Sequence, residues 1–449
     1  MAKLWQKGNI KETELTQKVE RFTVGNDRAL DLLLAKHDVL GTIAHIKMLN
    51  KVNLLQTKDV QAVIPFLKEI LKEIEDGKFS LSKGSEDIHS EVEFRLVKKL
   101  GDVGKKIHTG RSRNDQVLLD IKLFTREKLE QIVLQTKAVF DQLITLSNKH
   151  KNKLLPGYTH LQLAMPNSFG LWFGAYAESL ADDMDSLFAA YKLANKNPLG
   201  SGAGYGSSFQ LDRTITTDLR GFESLNYNVV YAQMNRGKME RLVTQALAGV
   251  AATLAKFAMD ATLYLNQNFG FISFPETLTT GSSIMPHKKN PDVLELIRAK
   301  CNKLQSLPFQ IQTITNNLPS GYHRDAQIIK EDYLLSFDVL LSCLEMTHLM
   351  LQHISVKENI LEDDKYKYLF TVDSINNLVH EQHLSFRDAY ITIGKEVEDG
   401  SYKKPANLKH TLQGSMGNLC NDKIAERMQQ NIAQFPFKNV RTALNKLTK

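Results

Sequence analysis

Between Leu118 and Leu146 the chain places apolar or small residues at Leu118, Ile121, Thr125, Leu129, Ile132, Thr136, Val139, Leu143 and Leu146. That is the three-four spacing of one helix face, not the two-residue alternation of a strand. It predicts a helix from the Arg111–Asp115 cluster to about Asn148, far beyond average length. Four more stretches carry the same pattern: from Asn167 or Ser168, just past Pro166, to about Leu193; from Lys238 to Asn266; from Asp292 to Gln305, with Pro308 as the expected kink beyond it; and from Ala326 to His353. The third is rich in Ala246, Ala248, Gly249, Ala251, Ala252 and Ala255, which permits close helix approach. No strand-alternation series, internal repeat or low-complexity tract stands out. The expected fold is all-α, a long central helical bundle flanked by two smaller mainly helical domains. Boundaries near Thr109 and Lys357 divide the chain into residues 1–109, 110–357 and 358–449, with Glu396–Pro405 as a loop in the last part. Five such helices offer more apolar face than one bundle covers, so the pattern predicts association with copies of the same chain.

A chain of 449 residues, 42% hydrophobic and 24% charged, has the composition of a soluble multi-domain protein. Its formal charge of +7 comes from basic residues scattered among nearly as many acidic ones. A mixed surface that attracts small anions is therefore expected, with no nucleic-acid or membrane partner. Cys301, Cys343 and Cys420 are far apart and form no metal-ligand pattern, so neither a disulfide framework nor a metal site is expected. The polar N-terminal stretch lacks an apolar signal core. The apolar run from Ala246 to Leu265 is broken by Lys256 and Asp260 and reads as a buried helix. A cytoplasmic location follows as the expectation.

Four clusters carry chemistry. Residues 281–291 read Gly-Ser-Ser-Ile-Met-Pro-His-Lys-Lys-Asn-Pro. Gly281 frees the backbone, Ser282 and Ser283 supply hydroxyls, and Pro286 stiffens the approach to Lys288 and Lys289. Asn290 suits an N-cap and Pro291 a first helical position, which would aim free N–H groups and lysines at one anion. In Thr109-Gly110-Arg111-Ser112-Arg113-Asn114-Asp115-Gln116, two arginines and an amide stand at a helix start, able to fork onto a carboxylate. Ser112 or Asn114 would cap that helix and Asp115 answer its dipole. In Pro156-Gly157-Tyr158-Thr159-His160-Leu161-Gln162, a histidine flanked by a hydroxyl and an amide can exchange protons near neutral pH. From Tyr322 to Lys330, Gln327 and Lys330 lie three apart on one helix face. Glycines 200, 202, 204 and 206 have no preceding strand and no following Lys-Ser/Thr, so a tight loop is favoured over a phosphate cradle.

The 281–291 string resembles the signature of the fumarase/aspartase superfamily, whose members eliminate fumarate from succinyl-type substrates. Arg111–Gln116 and Gly157–Gln162 are similar to the argininosuccinate lyase branch, and Glu86-Asp87-Ile88-His89 with Glu93 and Leu384–Tyr390 extend the resemblance over nearly the whole chain. It implies reversible cleavage of argininosuccinate to arginine and fumarate in arginine biosynthesis, with no metal or organic cofactor. It also implies roles. Ser282 would be the base, and His160 the proton-transfer group at the departing guanidino nitrogen, oriented by Glu295. Lys288 and Asn290 would stabilise the charged carboxylate. Arg113, Asn114 and Thr159 would hold the fumarate portion, and Tyr322, Gln327 and Lys330 the amino-acid end. In that family three subunits of a homotetramer build each site, as the self-associating helix pattern suggests.

The chain also departs from the branch. Trp5-Gln6-Lys7-Gly8 stands for Trp-Gly-Gly-Arg-Phe, Thr23-Val24-Gly25 for Asn-Ala-Ser, Met234-Asn235-Arg236-Gly237 for Ser-Asp-Arg-Asp, and His287 for Gln. His287 is the adenylosuccinate lyase residue, which makes that enzyme the nearest alternative. A non-catalytic structural relative of the lens-crystallin kind is the other.

Overall fold

The computed structural model describes residues 13–82, 85–406, 408 and 410–449, so the Trp5–Gly8 departure lies outside the described residues. The predicted long helices occupy Arg113–Lys149, Phe169–Ala194, Lys238–Leu265, Asp292–Leu304 and Ile329–His353. Their apolar faces meet in one large core that includes Trp172, Phe173, Leu180, Val250, Leu254 and Phe337. A second core, around Val39, Ile43, Val63, Leu67, Val92 and Leu96, also takes in Leu447 from the last helix, Phe437–Thr448. A third, small core joins Ile375, Ala389, Ile393 and Tyr402. Lys238–Leu265 and Arg324–His353 are long and apolar enough to cross a bilayer by length and composition, yet both are packed within the helical bundle.

Several local expectations need correction. Pro308 does not kink a continuing helix. The first helix stops at Leu304 and a new one runs from Leu307 to Thr315 with Pro308 in its first turn, where a missing N–H costs no hydrogen bond. Ala326 belongs to a 3-10 turn, Arg324–Gln327, and the α-helix begins at Ile329. The helix Phe386–Glu398 runs into the expected Glu396–Pro405 loop. Asn290 caps nothing: its backbone pairs with Thr280, and Pro291 takes the cap position ahead of Asp292. Among the described residues, three two-stranded sheets are also present where no strand was expected. The longest pairs Leu154–Thr159 with Gln162–Ser168, and Pro156 lies opposite Pro166. Prolines and half-exposed residues in short strands erase the alternation that a sequence reading depends on.

Side-chain contacts fix the helix directions. Thr125 meets Tyr333 at 2.6 Å, Lys128 meets Asp338 at 2.5 Å, and Gln142 donates to the Leu351 carbonyl at 3.4 Å, so Arg113–Lys149 and Ile329–His353 run parallel. Arg298 reaches the Met259 sulfur at 3.1 Å and Arg241 reaches Gln312 at 3.3 Å, which sets the Asp292–Thr315 pair of helices antiparallel to Lys238–Leu265. Arg113 and Lys330 therefore lie at one end of the bundle. The 154–168 hairpin and the start of the Asp292 helix lie at the other, where Tyr158 packs on Phe269 with ring centroids 5.6 Å apart. At 1.5 Å per residue the 37-residue helix holds the two ends roughly 55 Å apart.

Ser112 caps that helix and closes a capping box with Asp115. The buried Asp115 carboxylate accepts N–H bonds from Ser112, Gly200 and Gly202, each at 2.9 Å. The glycine-rich loop thus wraps a carboxylate of its own chain. Gly202 sits at φ +61°, and an added Cβ would come within 2.8 Å of the Gly206 carbonyl. Replacing Asp115 by Ala strands buried donors, and should cost about 3 kcal/mol or more in urea unfolding. An unchanged midpoint would mean that the carboxylate does not tie the loop to the helix start.

Candidate functional site

At the first end of the bundle, the Ser112 cap sets Arg113 and Asn114 half-buried in the first helical turn. Arg113 pairs with Glu86 at 3.2 Å and Asp87 at 3.1 Å, and donates to the Ser90 hydroxyl at 2.6 Å. Asp87 caps the Ile88–Leu100 helix by accepting from the Ser90 N–H, so this helix start and the Arg113 helix start are locked together. The Ile88 N–H donates to Asp31 at 3.1 Å. Asp31 and Asp27 hold the buried Lys330 ammonium, Asp27 at 2.7 Å. Burial works against a charged lysine, but Asp31 and then Asp27 outweigh it and raise the Lys330 pKa. Gln327 donates to the Thr23 carbonyl at 2.8 Å. Tyr322 lies nearby, 40% exposed, on a cleft shared with Arg236 and Ala326, whose carbonyl accepts from Arg236. Arg113 and Lys330 thus belong to one polar network, with Asn114, Tyr322 and Gln327 at its margin.

Beneath Arg113, His89 is buried between Asp38 at 2.6 Å and Asp120 at 3.8 Å. Burial disfavours the charged ring, but Asp38 and then Asp120 reverse this and raise its pKa to about 10. The ligand atoms of Asp38, His89 and Asp120 lie within 4.8 Å of one another, close enough to hold a metal ion. A doubly protonated imidazole, however, has no lone pair to give a cation, and it already supplies the charge that the carboxylates need. The site suits an imidazolium better than a metal.

At the other end, His160 and Leu161 form the two-residue turn of the hairpin, with Thr159 paired to Gln162. Both turn residues have positive φ, 55° and 58°. A turn of this hand matches the twist of the strands but favours Asn or Gly, so a histidine and a leucine here hold a strained backbone. Gly157 lets the strands close: a Cβ there would meet the Met165 carbonyl at 2.7 Å. The result leaves Thr159 and His160 exposed to solvent.

The 281–291 loop is closed by the Thr280–Asn290 backbone pair and by the Asn290 side chain donating to the Gly281 carbonyl at 3.3 Å. Within it the Ser282 hydroxyl oxygen accepts N–H bonds from Ile284 at 3.4 Å and Met285 at 3.2 Å. Lys289 is drawn to Glu276 at 3.1 Å, while the Lys288 side chain is exposed. Glu295 is exposed one turn into the following helix. Among the described residues, no hydrogen bond or ion pair joins His160 to Ser282, Lys288 or Glu295.

The candidate residues therefore fall into three groups. Arg113, Asn114, Tyr322, Gln327 and Lys330 share one end. Thr159 and His160 sit on the hairpin, and Ser282, Lys288, Asn290 and Glu295 sit on or beside the loop. Sequence reading missed Asp27, Asp31, Asp38 and Asp120. A signal existed for two of them: Asp31 and Asp38, with His45, recur every seven residues, a buried polar stripe in a stretch that also carries Lys36, His37 and Thr42.

The Lyase family profile matches residues 14–305. The chain is 57% identical over 441 residues to an argininosuccinate lyase of Bacteroides fragilis, covering 98% of each chain. It is 56% identical over 445 residues to one of Parabacteroides distasonis, covering 99% of each. It is 37% identical over 397 residues to one of Thermotoga neapolitana, covering 88% of this chain and 98% of that one. An EDDS lyase structure in complex with formate superposes with a TM-score of 0.79 at 19% identity, over 96% of this chain and 93% of that one. A fumarate lyase:delta crystallin from Brucella melitensis, bound to cobalt, gives 0.68 at 16%, over 91% and 92%. These two show a shared fold.

The His89 pKa has a consequence for stability. A histidine whose folded pKa is raised contributes fully below its unfolded value near 6.5, and loses that contribution as pH climbs through about 10. Thermal unfolding should show stability falling across that window, with a shallower fall in His89→Gln. Parallel pH profiles for the two proteins would contradict the charged triad.

Proposed function

The chain belongs to the argininosuccinate lyases, carbon–nitrogen lyases of the fumarase/aspartase superfamily, and from that premise we propose that it cleaves argininosuccinate reversibly to L-arginine and fumarate by β-elimination, in arginine biosynthesis. The observation that carries the proposed chemistry is the Ser282 oxygen, which receives two backbone N–H bonds in the loop that also carries Lys288. Donors aimed at an oxygen favour its anionic form, and a cation nearby adds to the effect. Serine, a poor base in water, becomes a usable one when this loop closes over substrate and excludes solvent.

In this reading Ser282 takes the proton from the carbon beside a succinyl carboxylate. The electron pair shifts onto that carboxylate, where Lys288, Asn290 and the start of the Asp292 helix stabilise the added charge. The pair then forms the new double bond as the carbon–nitrogen bond breaks. His160, steadied by Glu295, delivers a proton to the departing guanidino nitrogen. Arg113, Asn114 and Thr159 position the fumarate portion. Tyr322, Gln327 and Lys330 position the amino-acid end, where Asp27 and Asp31 outnumber Lys330 by one charge and suit an ammonium group. No step calls for a metal or organic cofactor.

The separation between the bundle ends supports a site shared between chains, and the proposed assembly is a homotetramer. Leu134, Met259, Leu296 and Leu335, on four of the long helices, are 43–59% exposed, the apolar surface that such packing would cover. A cytoplasmic location is also proposed, supported by free Cys301, Cys343 and Cys420. Adenylosuccinate is the less favoured substrate, because the glycine-rich amides that could cradle a phosphate are spent on Asp115. A crystallin-like role without turnover is not favoured either.

Fumarate absorbance tests the reading. Argininosuccinate should release fumarate and adenylosuccinate should not; release from adenylosuccinate alone would overturn the substrate assignment. Ser282→Ala should lower kcat by about 10²- to 10⁴-fold with little change in Tm, and Ser283→Ala should be milder. An active Ser282→Ala beside an inactive Ser283→Ala would move the base to the second serine.

A further inference from the structure

We propose a second anion site, apart from the lyase site, in the cavity between the start of the Ala35–Lys51 helix, the middle of the Arg113–Lys149 helix and the last helix, made for a small dianion of phosphate or dicarboxylate type. The cavity measures about 200 Å³ and is lined by Lys36, His37, Arg126, Glu127, Arg220 and Arg441, among others. Arg126 and Arg220 are only 3% and 1% exposed. Arg126 donates to the Arg220 carbonyl at 3.1 Å and lies over the Phe222 ring at 4.4 Å, with the Tyr191 hydroxyl as a further neutral neighbour. In both guanidinium groups Nε and one terminal nitrogen are buried without an acceptor.

The carboxylates that could neutralise them are engaged elsewhere. Asp120, which faces Arg220, lies against the charged His89 at 3.8 Å, Glu127 pairs with Lys36 at 2.9 Å and Glu130 with Arg441 at 3.0 Å. His37 is buried and kept neutral, since burial and then Lys36 lower its pKa well below the usual value. Two adjacent positive charges thus stay buried, an arrangement that is costly unless an anion completes it. Burial, and next the repulsion from Arg126, lower the Arg220 pKa to about 9. Guanidinium forks match the paired oxygens of phosphate and carboxylate. The cavity has room for several waters, enough for phosphate or a four-carbon diacid. Arg126 lies roughly 20 Å along the helix from Arg113, so an anion here does not occupy the lyase site.

Calorimetric titration of the full-length protein with inorganic phosphate, and separately with succinate, at matched ionic strength tests this. One saturable anion per chain that survives Lys288→Met is expected, separate from any succinate that the lyase site takes, and the tighter of the two at this site identifies its source. Arg220→Met and Arg126→Met should each weaken binding at least tenfold, while Lys288→Met leaves it unchanged. Lys36→Ala, a change at the partly exposed mouth that the fold tolerates, should weaken it severalfold, since it also frees Glu127 to repel the anion. Absence of saturable binding by either anion would overturn the proposal. So would binding that is lost in Lys288→Met but kept in Arg220→Met, which places the anion in the lyase site.

Discussion

The rise of an α-helix cannot be compressed, and in this protein that constraint governs everything else. The helix from Arg113 to Lys149 is held by its own backbone bonds and by a face buried along its length. It sets the arginine and amide of its first turn at one end of the bundle and the hairpin that follows it at the other. The parallel Ile329–His353 helix repeats the arrangement, with Lys330 at its start. The antiparallel Asp292 helix begins at the hairpin end and places the serine loop there. A substrate the size of one amino acid joined to a four-carbon acid cannot span that separation, which is why the proposed site draws its ends from different chains. The proposed assembly is thus a consequence of helix length.

Each end is prepared differently. At the first, charge is buried and paired: Arg113 with Glu86 and Asp87, Lys330 with Asp27 and Asp31, His89 with Asp38 and Asp120. Such pairs add little net stability against an apolar core, but they fix geometry, because removing one partner leaves the other buried and uncompensated. At the second end His160, Lys288 and Glu295 are exposed and Ser282 and Asn290 half-buried. His160 stands on a strained turn and Ser282 in an open loop, the condition of groups that meet substrate only when a surface closes over them.

The helices were legible in the sequence because burial on one face writes a period into the residues, and of the two caps the sequence offered, Ser112 and Asn114, the structure uses Ser112, in a box with Asp115. What failed was set by distant contacts. Asn290 looks like a cap, but the loop closure with Thr280 claims its backbone. The hairpin carries opposed prolines and half-exposed positions, so its strands left no alternation. Pro308 marks a boundary, yet only packing decides whether a helix bends or restarts there. The candidate site residues came from four clusters, and the family resemblance supplied their proposed roles. The acids that surround them, Asp27, Asp31, Asp38 and Asp120, come from separate segments, and no local pattern ties them to Lys330 or His89.

Mixing two inactive variants tests the shared site most directly. His160→Asn and Ser282→Ala proteins, dissociated together and allowed to reassemble, should regain activity, because up to roughly a quarter of randomly assembled sites would draw an intact His160 and an intact Ser282 from different chains. Each variant treated alone should stay inactive. No recovery in mixtures whose reassembly into oligomers is verified by light scattering would contradict the account, as would a wild-type protein that turns over as a monomer.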